Sequence, residues 1–370
     1  MMRKNEHIVM VGCLSMLFGG SIQVFASGKD SVALLGRSNR ASETLEQQIE
    51  KLRRFIGNPF TPVEEIIAVL RQVPQEQWEI VLKIANENGD TLFHWAARFG
   101  NGRVLVRTLA DHLSGDQLVR FLKVRNGNGN TSFDWVINSP LESGIEFLKV
   151  VVSKLSPQQL VEFLAFDDPL EDEPLLHKVV SSRNGGVLIR LLAEKLSKPL
   201  FINLLKTPGE EGCTIFHEIV QAYRGGACLR TMAEVLRSAD LINLLQITDR
   251  FGQTPFHRAV DVEGGEVFLS AVEEVLPGQL TGLLSIPARW GLTPLHYAAI
   301  SPYGVEILET LVGIIGEQLA ELLDIPNEEG LTPRQMAVRS QNSGEFVRTI
   351  DTFLSSLVLK DKRRQRRYTL

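Results

Sequence analysis

Thr293-Pro294-Leu295-His296-Tyr297-Ala298-Ala299 follows directly on Gly291-Leu292 and returns, blurred, along most of the chain. Upstream it reads Thr254-Pro255-Phe256-His257-Arg258-Ala259-Val260, Thr214-Ile215-Phe216-His217-Glu218-Ile219-Val220 and Pro174-Leu175-Leu176-His177-Lys178-Val179-Val180. Further up stand Thr131-Ser132-Phe133-Asp134-Trp135-Val136-Ile137 and Thr91-Leu92-Phe93-His94-Trp95-Ala96-Ala97. Downstream it reads Thr332-Pro333-Arg334-Gln335-Met336-Ala337-Val338. The seven starts lie 40, 43, 40, 40, 39 and 39 residues apart. Self-similarity at a fixed period of this size predicts stacked units, each too small to bury its own apolar face.

Every unit has the same plan. A turn containing glycine, such as Asn327-Glu328-Glu329-Gly330, precedes a first helix of about ten residues by its apolar spacing. A second glycine loop, such as Gly225-Gly226 or Gly264-Gly265, leads into a longer and more apolar second helix. A third segment recurs as Asp116-Gln117-Leu118, Pro157-Gln158-Gln159-Leu160, Ala239-Asp240-Leu241, Gly278-Gln279-Leu280 and Glu317-Gln318-Leu319, each leading to a leucine- or phenylalanine-containing pair. It predicts a short helix whose paired residues, Leu283-Leu284 and Leu322-Leu323 among them, seal the seam between neighbours. The fold class is therefore all-α, a helical solenoid of seven units.

The T-P-L-H-x-A-A stretch, placed between a glycine turn and a second helix, resembles the ankyrin repeat over residues 86–359. The units at Thr254 and Thr293 carry Thr-Pro and His together, the unit at Thr332 has Gln335 for His, and the unit at Thr131 has Asp134. That family's period is nearer 33 residues, so the third helix makes this an extended form. The resemblance implies that each His bonds the capping Thr and the backbone of the next unit. It also implies a protein-binding role in which residues of the turns and of the concave face contact a partner.

The chain has 370 residues, 44% hydrophobic and 22% charged, with a formal charge of −5. Residues 360–370 hold six Lys/Arg and one Asp, which leaves −10 for residues 1–359. An acidic body argues against nucleic acid as a ligand of the repeats, because phosphate binding needs clustered cations. Residues 1–26 have a basic start at Arg3-Lys4, an 18-residue uncharged run from Ile8 to Phe25, and Val24-Phe25-Ala26 before Ser27. This is the pattern of a cleaved secretory signal peptide. An uncleaved anchor is the alternative, with a run at the lower limit for spanning. Residues 27–85 read as a linker and a helical cap: a helix over 43–56, a second capped by Thr61 with Pro62 at its first position, and a third from Gln75 to Ile84.

The residues that look chemical are better read as structural. His94, His177, His217, His257 and His296 occupy one repeat position, and units about 10 Å apart cannot share a metal with ligand bonds near 2 Å. Gly127-Asn128-Gly129-Asn130 lacks the Gly-Lys-Ser/Thr of a nucleotide loop, and the acidic run from Asp167 to Glu173 lacks calcium-loop spacing. Cys213 and Cys228 fall at opposite ends of antiparallel helices, which predicts two free thiols. No nucleophile, cofactor or metal set emerges. Two places stand out instead. Arg250-Phe251 and Arg289-Trp290 occupy matching turn positions in adjacent units, and Arg and aromatic residues dominate binding hot spots; a third helix folded over the turns would bury both rings. Tyr297 is added to this candidate partner surface. The second place is the basic tail, Lys362, Arg363, Arg364, Arg366 and Arg367, suited to anionic lipid or an acidic protein.

The expectation is a monomeric, non-enzymatic interaction scaffold, exported to the periplasm or beyond. By the ankyrin resemblance and the leader together, it would act as an effector of a host-associated bacterium. A structural, protective periplasmic scaffold is the first alternative. An enzyme with a site in an irregular unit between Asp134 and Glu173 is the second.

Overall fold

The computed structural model describes residues 44–58, 60–99, 102–140, 142–165, 174–222, 225–340 and 343–368, with side chains through 359. The leader and linker at 1–43 and the acidic run at 166–173 lie outside them. Residues from Thr44 onward pack as one unit. The described residues contain helices and two isolated β-bridges, Ala85 with Thr91 and Arg125 with Thr131, but no strand.

The seven first helices are Leu92–Arg98, Ser132–Asn138, Leu175–Ser181, Ile215–Gln221, Pro255–Ala259, Pro294–Ala298 and Pro333–Arg339. Each is five to seven residues long, shorter than the ten that the spacing suggests. The second helix sets this limit. Its opening glycine lies against the end of the first: a Cβ on Gly265 would sit 1.7 Å from the Ala259 carbonyl oxygen, and one on Gly225 1.8 Å from that of Ile219. Another turn of the first helix would collide with that close approach.

The second helices run from Gly102–Asp111 to Gly304–Ile314, and the third from Gly115–Leu122 to Leu319–Leu323. Second helices of successive units pack on one another, and so do first helices, closely everywhere but at the step from Ser132–Asn138 to Leu175–Ser181. One apolar core therefore runs unbroken from Leu52 to Phe353. Leu283, Leu284, Leu322 and Leu323 are all buried, as the paired pattern requires. Each such side chain contributes about 1.5–3 kcal/mol by leaving water.

Both ends of the core are closed. At the amino end Leu45–Gly57, capped by Thr44, and Val63–Leu70 precede a short 3-10 turn, Gln75–Gln77, and Trp78–Leu82. Val63–Leu70 packs on Gly102–Asp111 in the place of a preceding second helix. Thr61 is not its N-cap. Pro62 takes that position without a side-chain bond, while the Thr61 hydroxyl turns back to donate to the Phe55 carbonyl at 3.3 Å. At the carboxyl end the last helix, Ser343–Tyr368, buries Phe346, Ile350 and Phe353. It continues through the basic run rather than stopping before it.

Candidate functional site

The repeated histidine does the structural work that the ankyrin resemblance implies. In His257, Nδ1 accepts the Thr254 amide at 3.0 Å and lies 2.9 Å from its hydroxyl, while Nε2 lies 3.0 Å from the Leu292 carbonyl of the next unit. That carbonyl can only accept, so Nε2 carries the proton. His94, His217 and His296 reach Asn130, Gln253 and Leu331 in the same way, and His177 reaches Thr207. Where His is replaced, half of the device survives. The Asp134 carboxylate accepts the Thr131 amide and hydroxyl at 2.7 Å, and Gln335 accepts the Thr332 amide at 2.9 Å. Burial lowers the pKa of His94, His217 and His296, and pushes that of His257 down to about 4. These imidazoles are neutral struts.

The two thiols are free and buried. Burial raises the pKa of Cys213, and that of Cys228 to about 12, so neither is a nucleophile at neutral pH. Among the described residues, no three His, Cys, Asp or Glu side chains gather as metal ligands. No described helix is long and apolar enough to cross a membrane.

The turns before each first helix form the more informative edge. In four of them a side-chain oxygen five residues before the Thr holds the turn: Asn86, Asn126, Asp249 and Asn327 each accept two turn amides at 2.8–3.0 Å. Gly209 and Ala288 stand at that place in the units of Thr214 and Thr293 and offer no acceptor. There the chain turns left-handed at a residue other than glycine, Glu211 at φ 58° and Trp290 at φ 62°. For a bulky residue this is an outlier, and such strain clusters at functional positions.

Trp290 is also 66% exposed. The third helix does not cover it. Beside it, the Phe251 ring is half-buried, with the Arg250 and Arg289 guanidiniums 4.7 and 5.9 Å from its centroid. Arg250 pairs with Glu211, and Arg289 donates to the Arg250 carbonyl at 2.6 Å. The Trp290 carbonyl accepts the Glu328 amide of the next turn at 3.0 Å. The edge from Glu211 to Glu328 is thus one cross-linked surface with an indole at its crest. Tyr297 joins this edge from the first-helix row through Gln253. It lies half-buried on the first-helix row, edge-on to His257 at 5.2 Å, with its hydroxyl accepting from Gln253 at 3.0 Å. The side chains of the basic tail lie outside the described residues.

The first-helix row holds a second group that the turn pattern does not reveal. Four residues after the capping position stand Trp95, Trp135, Lys178, Glu218, Arg258, Tyr297 and Met336. Toward the carboxyl end this row is cross-linked, with Arg258 3.1 Å from Glu218. At the amino end, Trp95, Arg98, Phe99, Trp135 and Ile56 line a recess of about 170 Å³. Arg98 and Trp135 also line a shallower one of about 450 Å³ reaching Asn138 and Pro140. Tryptophan at one position of two adjacent units was the signal available in the sequence.

The capping Thr and His, the glycine turn, the paired helices and the bond from each His to the next unit define an ankyrin-like repeat protein with a third helix in most units. No family model matches the chain, and no curated protein does. Solved structures similar to it include the ankyrin repeat domain of Bcl-3, a unique member of the IkappaB protein family, at 19% identity over 72% of this chain and 100% of that one, with a TM-score of 0.41. Another is PUF-8 in complex with PBE-RNA, at 11% identity over 84% of each chain, with a TM-score of 0.37. The assignment to the ankyrin-like class rests on the chain's own geometry.

Proposed function

We propose that this chain is a monomeric, non-enzymatic scaffold that binds a partner protein along the turn edge formed by Glu211, Arg250, Phe251, Arg289 and Trp290. One observation carries the reading: an exposed Trp is held in a left-handed backbone, and in the preceding turn the Phe251 ring is flanked by two guanidiniums. An exposed indole is a solubility liability without a use, and Trp with Arg is the composition of hot spots. The edge is already cross-linked through backbone and side chains, so binding would order few new groups. A protein partner is favoured over nucleic acid because the body is acidic and glutamates punctuate this edge. Tyr297 adjoins the edge from the first-helix row through its bond to Gln253 and belongs to the proposed partner surface.

The export leader at 1–26 and the effector role remain part of this proposal, as does contact of the basic run from Lys362 to Arg367 with anionic lipid or an acidic protein. The test is capture of partners by the full chain, compared with Phe251→Ala and Trp290→Ala. Selective loss of one captured protein from the variants supports the edge. Identical capture removes it.

A further inference from the structure

The last helix, Ser343–Tyr368, has two faces with different surroundings. Phe346, Ile350 and Phe353 are buried on the body, and Leu357 is half-buried against it. Two residues further on the helix has turned by about 200°, and Leu359 is 57% exposed. Leu359, Lys362, Arg363 and Arg366 stand at i, i+3, i+4 and i+7 of this helix. These positions share one face, on the side away from the packed strip. Asp361, the one acidic residue of the basic run, falls on the other side. The helix extends about 16 Å past Leu357 at 1.5 Å per residue. That is about twice the screening length at physiological salt, about 8 Å, so the acidic body does little to cancel the cations at this end.

We propose, resting on the contact role already given to the basic run, that this face docks on the surface of a negatively charged membrane. The helix lies along the headgroups with the body on one side and the bilayer on the other. Lys362, Arg363 and Arg366 meet lipid phosphates, and Leu359 enters the interface among them. Cations grouped around an exposed leucine on one helical face are the composition of a helix that lies on anionic lipid. An acidic protein would need carboxylates at matching places and a pocket for Leu359. A lipid surface moves its charges to suit and takes an apolar side chain anywhere.

The test is co-sedimentation of the full chain with vesicles of phosphatidylcholine, alone or with one-third phosphatidylglycerol, at about 0.1 M and about 1 M salt. The expected result is binding to the anionic vesicles, and at the lower salt only. Two triple variants remove equal charge from different faces. Lys362→Gln, Arg363→Gln and Arg366→Gln strip the proposed face; Lys360→Gln, Arg364→Gln and Arg367→Gln strip the other. Each cation at an anionic surface contributes about fivefold. The first variant is therefore expected to weaken binding about a hundredfold and the second tenfold at most. Leu359→Gln is expected to weaken it about tenfold and to leave the urea midpoint unchanged. No binding to the anionic vesicles, equal losses from the two triple variants, or unaltered binding by Leu359→Gln overturns the proposal. Capture by immobilised polyglutamate without binding to vesicles also overturns it, while sparing the broader contact role of the basic run. Binding to neither removes both.

Discussion

The carbonyl of Trp290 accepts the Glu328 amide at 3.0 Å, so a residue whose ring lies in solvent has its main chain tied into the following unit. Its left-handed backbone is part of that tie, and the cause lies two residues earlier. Ala288 offers no side-chain acceptor, whereas Asn327, at the matching place, holds the amides of Glu329 and Leu331.

This makes two substitutions informative. Trp290→Gly removes the ring and relieves a left-handed conformation that is unfavourable by about 1–2 kcal/mol for an L-residue. Urea unfolding is expected to show stability unchanged or raised by about 1 kcal/mol, while partner affinity falls at least tenfold. Ala288→Asn supplies the missing acceptor and is expected to return Trp290 to negative φ, readable from its backbone ³J couplings, again with partner affinity lost.

The glycine at the start of the second helix separates fit from flexibility. Gly265→Ala places a methyl 1.7 Å from the Ala259 carbonyl oxygen and forces the two helices apart. It is expected to lower stability by about 2–3 kcal/mol. Gly282→Ala, inside Leu280–Leu284 with open space around it, is expected to be neutral or stabilising by up to about 1 kcal/mol. The denaturant midpoint should fall for Gly265→Ala and hold or rise for Gly282→Ala.

The neutral histidines set the response to acid. Burial holds the folded His257 at about 4, below its ordinary value of 6.5, and lowers His94, His217 and His296 as well. Between those values the unfolded chain binds protons that the folded chain refuses. Stability that is complete above pH 6.5 therefore declines as pH falls toward 4, and the loss levels off once the folded imidazoles protonate. His257 alone accounts for roughly 3 kcal/mol. Urea titrations at pH 7.5 and 4.5 measure this, and His257→Gln should flatten the difference. At pH 7.5 the same variant keeps the bond to Thr254, as Gln335 does to Thr332. It loses the bond to Leu292, with an expected cost of about 1–3 kcal/mol.

The period was enough to anticipate three helices per unit and the single core, because those features depend on residues that repeat; the bonds of the histidines came with the ankyrin resemblance, and the first helices proved shorter than their spacing suggests. Features that depend on departures from the repeat were harder to read. Trp290 owes its backbone to what is missing at Ala288, and an absent acceptor leaves no motif. The indole N–H groups of Trp95 and Trp135 are buried with no acceptor among the described residues, which only three-dimensional packing decides. Tyr297 lies on the first-helix row, edge-on to His257 and bonded through its hydroxyl to Gln253, contacts that only the packing of neighbouring units brings about. Thr61 had the composition of a cap, yet its hydroxyl found the Phe55 carbonyl first.

The most direct measurement places a photoreactive benzoylphenylalanine at position 290 of the full chain, in the cells that make it, and at the exposed position 338 as a comparison. The expected result is a covalent adduct with one protein from position 290, competed away by unmodified chain and absent from position 338. No adduct at 290, or the same adducts from both positions, would contradict a binding edge built around Trp290.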